Sequence, residues 1–235
     1  MRVAAIQYRP PKGEPGRARE ALAGMVQQAC QQGARVVVCP EMATTGYVWP
    51  SPQALMPHAE PAHGPTAAVL GEAASHGQAW IFCGFAEVCQ GRLYNSMLII
   101  GPGGRLVGAY RKVLLYRADE TWASPGLERM VVDTTHGQVV PGICMDLNDP
   151  LFIAHLHHVD ADGLAFCTNW VDKGEDPLPY WRWRLLGWRG WCVAANTWGH
   201  DAGTTFTGRS TILGPRGTVL ARAGREGDEV LIADL

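Results

Sequence analysis

Arg35-Val36-Val37-Val38-Cys39 carries apolar side chains at four successive positions, so it reads as a strand buried on both faces. Such a strand needs cover on two sides, which places the chain among folds that lay helices on sheets. The same grammar recurs outward from it. Upstream, a strand at Val3–Tyr8 leads to a helix near Arg17–Gln32, where Leu22, Met25, Val26, Ala29 and Cys30 recur at helical spacing before Gly33. Downstream, Pro65 suits the first position of a helix that stops at Gly77. Strands follow at Ala79–Val88, Tyr94–Ile100 and Leu106–Tyr110, the last two joined by the turn Gly101-Pro102-Gly103-Gly104.

The second half repeats the pattern. Val139–Met145 reads as a strand and Asp149-Pro150 as a helix start, with Leu151, Phe152, His155, Leu156 and Val159 on one face. Gly163–Thr168 is a strand, Leu178–Gly190 a helix and Trp191–Asn196 a strand. Arg209–Leu213, Thr218–Ala221 and Val230–Ala233 complete the sheets. No Ser/Gly linker or change of composition divides the chain, so one domain is expected over residues 1–235, of α/β class.

Composition narrows the function. With 47% hydrophobic and 18% charged residues, the chain buries a large core, and a net charge of −2 gives no reason to expect nucleic acid or an acidic membrane as partner. Met1 leads almost at once into Val3-Ala4-Ala5-Ile6 without a basic and apolar leader, and no apolar stretch approaches membrane-spanning length; a soluble, cytoplasmic protein is expected. Seven cysteines at irregular spacing, with no Cys-x-x-Cys, argue against disulfides and structural zinc. Most sit in apolar runs as small core residues.

Three residues stand where a hydrophobic run stops: Glu41 after Val36-Val37-Val38-Cys39-Pro40, Lys112 after Ala109-Tyr110-Arg111, and Cys144 after Val139-Val140-Pro141-Gly142-Ile143. Singly, each has an ordinary reading, as a loop carboxylate, a solvated lysine and a core thiol. Together they supply an acyl-transfer site with nucleophile, proton carrier and oxyanion clamp. A free thiol is only a few per cent ionised at neutral pH and needs activation. Cys144 precedes the helix start at Asp149, whose turn offers backbone donors and a positive helix end. Glu41 can take the thiol proton, and Lys112 is a fixed charge for the oxyanion, a role worth about 3–4 kcal/mol per donor.

The segments that carry these residues resemble those of the nitrilase superfamily of carbon–nitrogen hydrolases, in order along the chain. They are Ala4-Ala5-Ile6-Gln7, Pro40-Glu41 with Thr45-Gly46-Tyr47, Leu93-Tyr94-Asn95-Ser96, Tyr110-Arg111-Lys112 and Pro125-Gly126. Ile143-Cys144-Met145-Asp146, Asn169-Trp170, Ala194-Ala195-Asn196, Gly208-Arg209-Ser210 and Gly214-Pro215-Arg216-Gly217 follow. The resemblance implies a four-layer α-β-β-α sandwich, no cofactor and no metal. It implies Glu41 as general base, Lys112 as oxyanion lysine, Cys144 as nucleophile and Glu120 as the second glutamate that positions substrate and lysine. Met145, Asn169 and Trp170 are then substrate contacts, joined by Asp119 as an acid for a substrate ammonium, with Asp149 either a second such acid or a helix cap.

Tyr110–Trp122 and Gly142–Asn148 are similar to the corresponding stretches of fungal protein N-terminal asparagine/glutamine amidases. The substrate expected is a small carboxamide or a peptide N-terminus, hydrolysed to acid and ammonia through a thioester. An N-carbamoyl group or a nitrile at the same site is the alternative, and a silent scaffold is the rival from another class. The resemblance also implies a homodimer, although Leu185-Leu186-Gly187-Trp188 replaces the family's Ala-Ile-Glu-Asn on a helix that packs at subunit contacts.

Other signals are set aside. Trp181, Leu185 and Trp188 share a helical face within an Arg/Trp-rich stretch, which fits packing better than nucleic acid or membrane. His155, His157 and His158 do not share one face and are read as surface residues and not as metal ligands.

Overall fold

The computed structural model describes residues 1–235. Its first half runs β1 (Arg2–Gln7), α1 (Pro15–Gln31), β2 (Val36–Val38), α2 (Pro52–Leu55), α3 (Pro65–Gly77), β3 (Trp80–Cys89), β4 (Arg92–Ile100) and β5 (Leu106–Arg111). The second half begins with β6 (Val132–Thr134), β7 (Gly137–Ile143), α4 (Pro150–His158), β8 (Gly163–Thr168), α5 (Pro177–Arg184) and β9 (Trp191–Asn196). It ends with β10 (Trp198–Asp201), β11 (Thr204–Thr207), β12 (Thr211–Leu213), β13 (Val219–Arg222) and β14 (Glu229–Asp234).

Two six-stranded sheets form, in the orders β14-β1-β2-β3-β4-β5 and β13-β12-β9-β8-β7-β6. Each has three parallel strands at its centre, β1-β2-β3 and β7-β8-β9, flanked by antiparallel ones. Strand alternation then dictates the layers. Val3, Ala5, Val36, Val38, Phe82 and Ile99 meet Val139, Ala165, Cys167 and Val193 between the sheets. The alternate residues Ala4, Ile6, Val37, Cys39 and Ile81 pack on Leu22, Val26 and Leu70 of α1 and α3. On the far side Leu164, Phe166, Cys192 and Ala194 pack on Phe152 and Leu156 of α4 and Trp181 of α5. The result is the α-β-β-α sandwich expected from the sequence.

Differences are local. The helix expected over Leu178–Gly190 ends at Arg184, because Gly187 takes a φ of +86° and turns the chain. Trp181, Leu185 and Trp188 are buried together nonetheless. Leu151, placed on the buried face of α4, is 65% exposed. Strand β6 and the β10–β11 hairpin lie outside the elements the sequence pattern predicts. No helix is long and apolar enough to cross a membrane, and no cluster of His, Cys, Asp or Glu is arranged to hold a metal.

Candidate active site

The apolar layer between the sheets turns polar at one end. Tyr110 and Met97 belong to it, and in the alternation of their strands Lys112 and Asn95 are next on the same face; Cys167 leads likewise to Asn169. Lys112 N–H continues the ladder to the Asn95 carbonyl at 2.9 Å, so Lys112 and Asn95 stand side by side.

Glu41 follows Pro40, where β2 leaves the sheet. The turn rests directly on β3: a Cβ on Gly84 would lie 2.4 Å from the Pro40 carbonyl oxygen and 2.6 Å from Glu41 Cα, so only glycine permits this approach. Glu41 is fully buried, and its carboxylate accepts three hydrogen bonds, one fewer than its two oxygens can take. Oε1 accepts from Lys112 Nζ at 2.7 Å and from Asn95 Nδ2 at 2.7 Å, and Oε2 from the Asn169 N–H at 2.8 Å. Asn169 Nδ2 also donates to the Glu41 carbonyl, which fixes the backbone beneath the carboxylate.

Lys112 Nζ donates equally to Asp119 Oδ2, at 2.6 Å. Asp119 Oδ1 accepts from Asn95 Nδ2 at 3.1 Å, and Oδ2 accepts the Tyr116 N–H at 2.9 Å. Two carboxylates thus flank one ammonium with no exposure of any of the three. Burial disfavours the Lys112 charge, but Asp119 and Glu41 outweigh it and hold the ammonium well above the ordinary lysine range. Burial pushes the Glu41 carboxyl up, with Asp119 adding to the rise and Lys112 opposing it.

Cys144 stands at the sharp turn from β7 into the short 3-10 segment Cys144–Asn148, with a φ of +42°. That left-handed conformation costs a non-glycine residue on the order of 1–2 kcal/mol. Asp146 holds the turn. Its Oδ2 accepts from the Ile143 N–H and Tyr110 OH, and its Oδ1 from the N–H groups of Val113 and Leu114. One buried carboxylate therefore ties the turn of Cys144 to the strand end of Lys112. Burial and the Glu41 charge push the Cys144 thiol up to about 12, against Lys112, Thr168 and the Asn169 N–H. At neutral pH the sulfur is a thiol beside a base.

Cys144 opens onto a pocket of about 370 Å³. Tyr47 and Asn169 lie beside it, Met145, Tyr116, Trp170 and Tyr180 form the walls, and Lys173 and Glu175 stand on the rim. The wall is set by α5: Asp176 caps it by accepting the Leu178 N–H at 3.0 Å and is itself held by Arg222 and Arg209. Trp170 packs on Tyr180 and, edge-to-face, on Trp181, with ring centroids 5.7 and 5.6 Å apart.

Glu41, Lys112 and Cys144 therefore converge, and Met145, Asn169 and Trp170 line the same pocket. Glu120 does not join them. It is exposed and takes no part in the hydrogen bonds of the site, because the turn Tyr116–Asp119 directs its neighbour inward. Asp119 is correspondingly not a free acid for a substrate ammonium. Asp149 is not free either: it caps α4 and pairs with Arg129. Asn95, Tyr116 and Tyr180 went unmarked as site residues. For Asn95 the signal was its place beside Lys112 across two adjacent strands.

Comparisons with known proteins bear on the family and the fold. A family model described as carbon-nitrogen hydrolase matches residues 2–235. A nitrilase of Pyrococcus abyssi is 30% identical over 100% of this chain and 89% of its own. A protein N-terminal amidase of Schizosaccharomyces pombe is 27% identical over 91% of each chain. Among solved structures, an amidase from Nesterenkonia sp. superposes with a TM-score of 0.88 at 21% identity, covering 100% of this chain and 90% of that one.

Proposed function

Because the chain belongs to the carbon-nitrogen hydrolase family, we propose that the pocket over Cys144 is the active site of an amidase that hydrolyses a carboxamide to its acid and ammonia. The observation that carries this reading is the Cys144 thiol opening onto a pocket at the end of the sandwich where the buried Lys112 ammonium is held between the Glu41 and Asp119 carboxylates. In the proposed cycle the Cys144 proton passes to Glu41 as sulfur attacks the carbonyl carbon, forming the C–S bond and an oxyanion. Lys112 and the Met145 N–H, the first backbone donor after the turn, stabilise that oxygen. The C–N bond breaks as Glu41 returns the proton to the departing nitrogen, releasing ammonia and leaving a thioester. Water then gives a proton to Glu41 and its oxygen to the acyl carbon. The C–S bond breaks, the proton returns to sulfur, and the acid leaves.

Asp119 takes the positioning role expected of Glu120, holding Lys112 from the side opposite Glu41. A free carboxamide is favoured over a protein N-terminus, since both acids considered for the ammonium are engaged elsewhere. The structurally similar Nesterenkonia amidase has been seen with butyramide bound, a ligand of this class. The test is ammonia release from butyramide and longer carboxamides by wild type and Cys144→Ala. Release by the wild type that vanishes in the variant is expected; release that survives the substitution overturns the proposal.

A further inference from the structure

We infer that the substrate's acyl group is neutral and ends in an aromatic ring seated against Trp170, Tyr180 and Tyr116; this rests on the amidase reading of the same site. Three observations carry it. The first is size. At about 370 Å³ the pocket falls within the roughly 300–1,000 Å³ that holds drug-sized ligands, so an aliphatic amide of a few carbons leaves its outer part unfilled.

The second is the wall. Trp170 and Tyr180 sit at a tilted 43° to one another, and Trp170 is braced behind by Trp181 at 88°. Tyr116 is fixed from the backbone, its N–H held by Asp119. The Asn148 amide is partly engaged within the wall itself: its oxygen accepts from Tyr180 OH and its Nδ2 faces the Met145 sulfur at 3.2 Å. Rigid aromatic faces around an apolar gap favour a flat ring by offset or edge-to-face packing.

The third is charge. A substrate carboxylate or ammonium needs a partner of opposite sign once it leaves water. Lys112 is already neutralised by two carboxylates and keeps its third N–H for the oxyanion of the reacting carbonyl, and Asp176 is held between Arg209 and Arg222. What remains in the lining is Lys173 and Glu175, both exposed, of opposite sign and two residues apart on the rim. Both stay in solvent at the mouth, so no unengaged charge lies among the aromatic walls. Water would then split, for example, 3-phenylpropionamide into 3-phenylpropionic acid and ammonia.

The experiment compares 3-phenylpropionamide, butyramide, succinamate and β-alaninamide as substrates of the wild type, and measures their binding to Cys144→Ala by calorimetry. The aryl amide should lead butyramide in kcat/KM by about tenfold or more, the scale of apolar pocket discrimination. Tyr180→Leu should narrow that ratio, with circular dichroism confirming the fold. Ammonia released fastest from butyramide or from either charged amide overturns this inference and leaves the amidase reading standing. Tighter binding of the aryl amide with no ammonia from any substrate does the reverse.

Discussion

The floor and the wall of the pocket are built by opposite means. On the floor, Glu41, Lys112 and Asn169 lie just beyond strand ends and Asn95 lies within β4, where the ladder fixes their backbones and hydrogen bonds fix their side chains. The wall comes from the segment after β8 and from α5, and Trp170, Tyr180 and Trp181 are held there mainly by ring contacts. A buried charge is tolerable only when its partners are in place, so the floor admits little change. Aromatic packing tolerates substitution at a modest cost, so the wall can set specificity without disturbing the chemistry. Chemistry and selectivity are thus separable in this fold.

The sharpest way to break that contrast is to change the floor without changing its shape. Glu41→Gln should lower kcat by about 10⁴-fold or more, as removal of a group that acts as a unit with its nucleophile does. A loss of tenfold or less would mean the floor is not the proton carrier. Asp119→Asn should cost roughly 10²-fold in kcat, comparable to losing an electrostatic stabiliser, because Lys112 then keeps only one charged partner.

The pH profile sharpens the contrast next. Glu41 must be ionised to accept the thiol proton, and its pKa is raised, so activity should fall as pH drops while still above the ordinary glutamate range near 4.5. Lys112 is held well above 10.5, so deprotonation of its ammonium should cause no loss up to about pH 9. A kcat/KM profile with its acid limb at or below 4.5 would count against a buried base. The smallest effect belongs to Glu120→Gln, which should leave kcat within about twofold, as surface changes away from the site do. Rates for the adjacent Asp119 and Glu120 variants, measured together, decide which carboxylate holds the lysine.

That adjacent pair also marks the limit of what periodicity encodes. Glu41, Lys112 and Cys144 were legible because each ends an apolar run, and the unbroken apolar character of Val36–Cys39 implied cover on both of its faces, while the four-layer arrangement came from the family resemblance. Asp149-Pro150 was legible because Asp caps and Pro opens a helix by local chemistry. Asp119 and Glu120 differ by one step around a turn with no periodicity. Which one faces inward is set by the Asp119 N–H bonding the Tyr116 carbonyl at 2.7 Å, a contact that leaves no pattern in the sequence. The β10–β11 hairpin escaped for a related reason. Its turn residues Ala202 and Gly203 both have positive φ, +43° and +89°, the geometry usually signalled by Asn-Gly or Asp-Gly, and here an alanine stands in the first position. Helix α5 was read too long because its buried tryptophans keep helical spacing beyond the point where Gly187 bends the chain.

The most direct test of a thiol nucleophile is mass spectrometry of the intact protein, acid-quenched during turnover of 3-phenylpropionamide and butyramide, for wild type and Cys144→Ala. The expected result is an increase equal to the acyl group less one hydrogen, located on the peptide that carries Cys144 and absent from the variant. Ammonia release with no adduct on Cys144, or with the acyl group on another of the seven cysteines, would contradict it.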